Sequence, residues 1–256
     1  MSAELTVVSL FPDILDVNGD SANAAVLQTR LRWMGFQTRL IGVQVGENVP
    51  SAAPDIVVIG SGSDEDLTAT LTELRRIESP LREWVEAEVP ILAVGTSWEL
   101  LSHYVETGTQ APLKGLGIFP GHSMPAKKRI TGELVVDSEF GRLFGFENHV
   151  RQYTLGAGGV HLGTVVCGSG NASAVKARGF EGAIVRNAIG THLHGPVLAR
   201  NPVLADHLIS LAQARSTDVS GATAKAELHA ADAMARAACA VIATQLGLTA
   251  EKKIRS

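Results

Sequence analysis

Three stretches of the chain carry residue types able to do chemistry. The first is Pro90-Ile-Leu-Ala-Val-Gly-Thr-Ser-Trp-Glu-Leu-Leu101. An apolar run enters a Gly95-Thr96-Ser97 turn, and Trp98, Leu101 and Val105 follow at helical spacing. A strand that turns sharply into a helix lifts the residue at its tip above the sheet, where a nucleophile works. Here the tip is Gly95, which has no side chain, and Ser97, two residues on, should point elsewhere. The second stretch is Gly60-Ser-Gly-Ser-Asp64, directly after the apolar run 56–59. Its backbone N–H groups form either a nest for an oxyanion or phosphate, or an ordinary turn capped by Asp64. It is not a phosphate loop, since no Gly-Lys-Ser/Thr follows, and it lacks the dinucleotide pattern.

The third is Ile189-Gly-Thr-His-Leu-His-Gly-Pro196. His192 and His194 stand two apart and would share a face on a strand. Either one reads equally as a structural histidine or as a general base, and a base needs a nucleophile within hydrogen-bond reach. No third ligand lies nearby, so no metal is expected. Cys167 lies on an apolar run and Cys239 in an Ala-rich segment, and both read as structural thiols. Glu147-Asn148-His149 is a polar cluster after a strand, and reads as a loop or as part of a site.

The elements that must position these residues alternate. Strands are expected over 5–11, 36–43, 56–59 and 90–94, with helices from about 21 to Met34 and from 64 to about 87. Alternating strands and helices predict a doubly wound, mainly parallel sheet. Runs without polar alternation fit a sheet covered on both faces. From 110 to 190 glycine recurs every few residues among short β-like runs (130–136, 143–146, 160–166, 183–185), read as antiparallel additions. The stretch 190–196 reads as a turn after a short strand. Asn201-Pro202 opens a helix to about Ala214, with proline at its first position. Residues 216–220 read as a polar linker and 222–246 as a final helix. The expected division is an α/β domain over 1–215, followed by linker and Ala-rich helix over 216–256.

Composition narrows the function classes. The 256 residues carry a net charge of −4, which argues against a nucleic-acid binder, and Lys127-Lys128-Arg129 is a short basic run that reads as a solvated loop. Two cysteines make no disulfide framework. The first residues lack the pattern of a signal peptide, and Asp232 and Arg236 interrupt the Ala-rich stretch, so no membrane span is expected. A cytoplasmic chain is the expectation.

Several motifs together resemble the class I glutamine amidotransferase-like family of the CobB/CobQ type, and within it the GatD-like branch. They are Phe11-Pro-Asp13, Asn18-Gly-Asp20 with Asn23, Gly60-Ser-Gly-Ser-Asp64, the 90–101 stretch, Gly115-Leu-Gly-Ile118, Lys128-Arg-Ile-Thr-Gly-Glu133, Gly145-Phe-Glu-Asn-His149, Gly168-Ser-Gly-Asn171 and the stretch 189–196 with Asn201-Pro202. The likeness runs over about 4–214. It implies a flavodoxin-like core, no cofactor, and a glutaminase that supplies ammonia to a synthetase. The synthetase would be a Mur-ligase-like (MurT-type) partner amidating lipid II for the cell wall, or one acting on a cobyrinate-type substrate. It also implies an elbow cysteine that attacks the glutamine amide, an oxyanion loop at Gly60, Ser61 and Gly62, and His194 as acid/base partner.

At those positions the sequence departs from the resemblance. Gly95 stands where the cysteine belongs, Thr96 and Ser97 replace small residues, and Glu99 stands where glutamine is usual. GatD-like chains read Gly-Phe-Glu-Asn-His-Gly-Gly-Arg, whereas here His149 is followed by Val150 and Arg151, one position early. The implied glutamine-binding set is Gly60, Ser61, Gly62, Thr96, Glu99, His149 and Arg151. Without a nucleophile, His194 has nothing to activate. The expectation is an amidotransferase-like domain without glutaminase activity, acting as a binding or regulatory subunit. The alternative is an active glutaminase subunit.

Overall fold

The computed structural model describes residues 4–108, 111–171, 179–215 and 225–251. Its first half alternates as the apolar runs require: β1 (Leu5–Leu10), α1 (Ala22–Trp33), β2 (Thr38–Val43), β3 (Ile56–Ile59), α2 (Leu67–Arg76), α3 (Glu78–Glu86), β4 (Ile91–Val94) and α4 (Thr96–Leu100). The next strands are β5 (Tyr104–Val105), β6 (Leu113–Lys114), β7 (Gly121–Ser138), β8 (Gly141–Leu155), β9 (Gly163–Cys167), β10 (Phe180–Glu181), β11 (Ala183–Val185) and β12 (Ala188–Thr191). Helices α5 (Val197–Arg200), α6 (Pro202–Arg215) and α7 (Ala226–Gln245) complete the described chain.

One sheet has the order β11-β12-β4-β3-β1-β2 and is parallel except for β11, which pairs antiparallel with β12. Its central strands β3 and β4 are apolar and buried at every position because both faces are covered. On β3, Val57 and Ile59 join the core under α2, α3 and Trp98, while Ile56 and Val58 join the core under α1 and α6. Of the expected antiparallel additions, 183–185 joins this sheet's edge as β11, while 130–136, 143–146 and most of 160–166 lie in a second sheet, β10-β9-β7-β5-β6 with β8 on β7.

Three local expectations are corrected. The helix after the elbow stops at Leu100 rather than running through Val105, because the segment 116–119 caps its last carbonyls. Leu116 N–H donates to Leu100 O, and those of Ile118 and Phe119 to Leu101 O. Glu147-Asn148-His149 is not a loop but lies within β8, paired with β7. Gly190 and Thr191 belong to β12 rather than to a turn. A Cβ on Gly190 would sit 2.2 Å from Trp98 Cδ1, so only glycine lets Trp98 lie against this strand.

Helix α7 is attached by a buried charge. Arg30 on α1, 4% exposed, is paired with Asp206 on α6 and Asp232 on α7, each at 2.6 Å. Cys239 faces inward and donates to the carbonyl of Arg200. The expected linker 216–220 lies outside the described residues. No helix among the described residues is long and apolar enough to cross a membrane.

Candidate functional site

The parallel strands β3, β4 and β12 end together, and their carboxyl ends gather the 60–64, 95–99 and 192–194 segments, as the crevice rule for open α/β sheets requires. Gly95 sits at φ 58° and ψ −124°, a backbone conformation that other residues adopt only with strain, and its N–H donates to Thr191 O at 2.9 Å. The elbow is therefore formed. Ser97 points away from its mouth, its buried hydroxyl donating to the carbonyls of Ile59 and Val94.

His194 follows β12 and is fixed on two sides. Its main chain bridges to Phe146 on β8, and its Nδ1 lies 2.8 Å from Asp20 Oδ2, both side chains fully buried. A carboxylate there is an acceptor for a proton on Nδ1, which fixes the ring with Nε2 on its other side. Nε2 has no hydrogen-bond partner among the described residues. A Cβ on Gly95 would lie 2.9 Å from His194 Cε1. Asp20 and His194 are thus a buried carboxylate–imidazole pair beside the elbow. The alternation of strands and helices does not single out Asp20 as a site residue. Asn18-Gly-Asp20, among the resembling motifs, was the signal for it.

The space around the elbow tip is occupied. The same Cβ would lie 2.5 Å from Ser61 Oγ and 3.0 Å from Ser61 Cβ, closer than packed atoms approach. The two N–H groups best placed to hold an oxyanion are also engaged. Gly62 N–H donates to Thr96 Oγ1 at 2.8 Å, and Thr96 N–H faces Ser61 Oγ at 3.4 Å. The hydroxyls of Ser61 and Thr96 thus stand where a substrate oxygen would be received. Gly60 does not line the site. A Cβ there would be 2.0 Å from Leu15 O, so its role is close packing under the 14–15 backbone.

In front of the elbow is a cavity of about 230 Å³, lined by Ser61, Gly62, Asp64, Thr96, Glu99, His149 and Arg151 among others. Its inner wall is charged. Arg151, 4% exposed, donates from Nε to Glu99 Oε2 at 2.6 Å and reaches Asp64 Oδ1 at 2.6 Å from its other side. Asp64 is therefore not a helix cap; Asp66 precedes α2, and Asp64 faces the cavity.

His192 and His194 both lie beyond the end of β12 at Thr191, and their side chains meet different partners. His192 lies fully buried between Glu181 and Glu99, at 3.5 and 3.8 Å, distances of ionic contact rather than hydrogen bonding. Burial works against its charge, but the two carboxylates outweigh burial and lift it to about 9. His149 stacks on it with ring centres 4.1 Å apart. Burial first, and then the charge of His192, push His149 below the ordinary histidine range. The same partners act on Glu99, where burial is outweighed by Arg151 and His192 and the carboxyl is held low.

These shifts give a pH dependence with a definite sign. His192 is raised in the folded state, so its contribution to stability is complete below about pH 6.5, the unfolded value, and is lost as pH rises through about 9. The melting temperature is expected to fall across that window. A His192→Gln variant, unfolded by heat at the same pH values, should lose this part of the slope.

A match to the CobB/CobQ-like glutamine amidotransferase domain covers residues 17–202. The chain belongs to this glutamine amidotransferase family. Within it, the chain is 32% identical over 210 residues to the GatD subunit of the glutamine-hydrolysing lipid II isoglutaminyl synthase of Staphylococcus aureus, covering 82% of this chain and 84% of that protein. The corresponding subunit of Streptococcus pneumoniae is 25% identical over 212 residues, covering 82% and 80%. Among solved structures, a glutamine amidotransferase from Thermotoga maritima superposes with a TM-score of 0.51 at 14% identity, covering 90% of both chains, which speaks to the fold alone.

Set beside the family's chemistry, the amidotransferase site here is uneven. The resemblance implied a nucleophile at 95, an oxyanion loop and an acid/base histidine. The Asp20–His194 pair is assembled, while the nucleophile position is vacant of side chain and enclosed by Ser61. Of the implied binding residues, Ser61, Gly62, Thr96, Glu99, His149 and Arg151 line one cavity, and Gly60 does not.

Proposed function

We propose that this amidotransferase subunit has given up glutamine hydrolysis by the family's thiol route. It serves a Mur-ligase-like (MurT-type) synthetase as a binding or regulatory subunit. In this reading residues 1–215 carry the amidotransferase unit, and the likeness to GatD subunits supports lipid II amidation as the setting. A cytoplasmic working place belongs to the same reading.

One observation carries it. The hydroxyls of Ser61 and Thr96 fill the elbow and engage its N–H donors. Loss of a cysteine alone would leave an open oxyanion site, whereas this site is closed at the nucleophile and the oxyanion position together. The test is glutamate release from glutamine by the purified protein, alone and with the synthetase that copurifies from the native host. Release is expected to stay at background in both. Steady release proportional to protein, abolished by His194→Ala, overturns the proposal.

The intact Asp20–His194 pair is the one observation favouring the second reading, an active glutaminase subunit in which Gly95 is a local defect. That reading requires Gly95→Cys alone to recover hydrolysis.

A further inference from the structure

Asp64 sits in the cavity wall with a guanidinium at each carboxylate oxygen. Oδ1 is 2.6 Å from Arg151 NH2, and Oδ2 is 3.6 Å from Arg129 NH2. Arg129 is further held by Asn148, to whose Oδ1 it donates at 2.8 Å. Two guanidinium groups converging on one carboxylate at the wall of a cavity of amino-acid size is the arrangement that recognises a ligand carboxylate. Here the carboxylate is the protein's own. Arg151 is buried and its far side is already engaged by Glu99, so its inward position does not depend on Asp64. Asp64 is more than a third exposed, on the short segment between β3 and α2.

We propose that Asp64 is an internal stand-in for a ligand carboxylate, occupying a two-arginine subsite formed by Arg151 and Arg129. It thereby sets which molecules the cavity accepts. The subsite takes the carboxylate of a small amino acid when Asp64 is turned away, and binds it weakly while Asp64 competes. The inference rests on the cavity being the family's glutamine cleft, and it concerns binding only, so it stands or falls separately from hydrolysis.

The charges around the cleft decide the direction of the effect. With Asp64 in place, Asp64, Glu65 and Glu99 face Arg129 and Arg151, an excess of one negative charge at the cavity wall. Removing the Asp64 charge leaves two positive groups against two negative ones, and frees donors on Arg151 and Arg129 for a ligand.

The experiment is calorimetric titration of the 256-residue chain with L-glutamine, and with butyramide, which keeps glutamine's side-chain amide and lacks its α-amino and α-carboxylate groups. Asp64→Asn and Asp64→Ala are compared with the unaltered protein, each checked for an unchanged circular dichroism spectrum. Both variants are expected to bind L-glutamine about tenfold or more tightly than the unaltered protein, because two charge-assisted contacts pass to the ligand. Butyramide binding should not change. In a background carrying Arg129→Gln the gain should shrink. The proposal is overturned if the variants bind L-glutamine no better than the unaltered protein, if no form binds it, or if butyramide gains equally. Detection of glutaminase activity would remove the proposed loss of hydrolysis and leave this result readable, since the titration measures affinity and product assay measures turnover.

Discussion

Gly95→Cys, made alone, is expected to leave the protein without measurable glutaminase activity, whereas Gly95→Cys with Ser61→Gly and Thr96→Gly should gain it. The new Cβ would begin 2.5 Å from Ser61 Oγ, so Ser61 must move before a thiol can be accommodated. Even then, the side chain of Thr96 holds the Gly62 N–H at 2.8 Å, and the tetrahedral oxyanion finds its donor taken. Loss of one oxyanion donor costs about 100- to 1,000-fold in turnover. The triple variant should therefore exceed the single one by at least about 100-fold in glutamate release. It should also be labelled by a glutamine-analogue alkylator, and both properties should disappear with His194→Ala. A single variant that is labelled and turns over as fast as the triple one establishes the second reading, an active subunit with a local defect. The cysteine must adopt φ near +58°, so both variants should melt lower than the parent by an amount corresponding to about 1–3 kcal/mol.

The second large effect is on stability. Glu99→Gln, which restores the residue usual in the resembling motif, is expected to destabilise this protein by about 3–5 kcal/mol, the cost typical of removing one partner from a buried charge pair. Glu99 is buried to 1% exposure and carries the charge that answers both Arg151 and His192. An amide keeps the shape and loses that charge. Arg151 would retain Asp64, but His192 would be left with Glu181 alone. The check is chemical unfolding in urea at neutral pH, with the pH profile of melting as a second readout, since the high value of His192 depends on both carboxylates. A loss under about 1 kcal/mol would mean that the charges here are more hydrated than their burial implies.

Much of this was legible in the chain itself. Continuous apolar runs at 56–59 and 91–94 announce strands buried on both faces, and the glycine at 95 announces the turn. The motifs marked the family because each ties a residue type to a backbone position. What escaped was pairing between residues distant in sequence. Nothing in a linear reading joins Asp20 to His194, or Glu181 to His192, since the partners are brought together only by the sheet. The displaced arginine is an instructive case. In a strand, successive side chains point to opposite faces, so one step changes the side on which a residue lies. Arg151 shares the buried side of β8 with Glu147, His149 and Tyr153, and so meets Glu99. Read as spacing, the shift looks like a lost binding residue. Read as a change of face, it goes with the replacement of glutamine by Glu99, because each charge now has the other.

The clamp on Arg30 bears on how the chain comes to be folded. Its guanidinium belongs to α1, but one of its two carboxylates, Asp232, lies in α7, 202 residues later. During synthesis, α1 and the early parallel strands emerge with a cation that cannot yet be neutralised on both sides. The buried charge on α1 is complete only once α7 has been made, and a ribosome-bound fragment ending before α7 should stay open to proteases at α1.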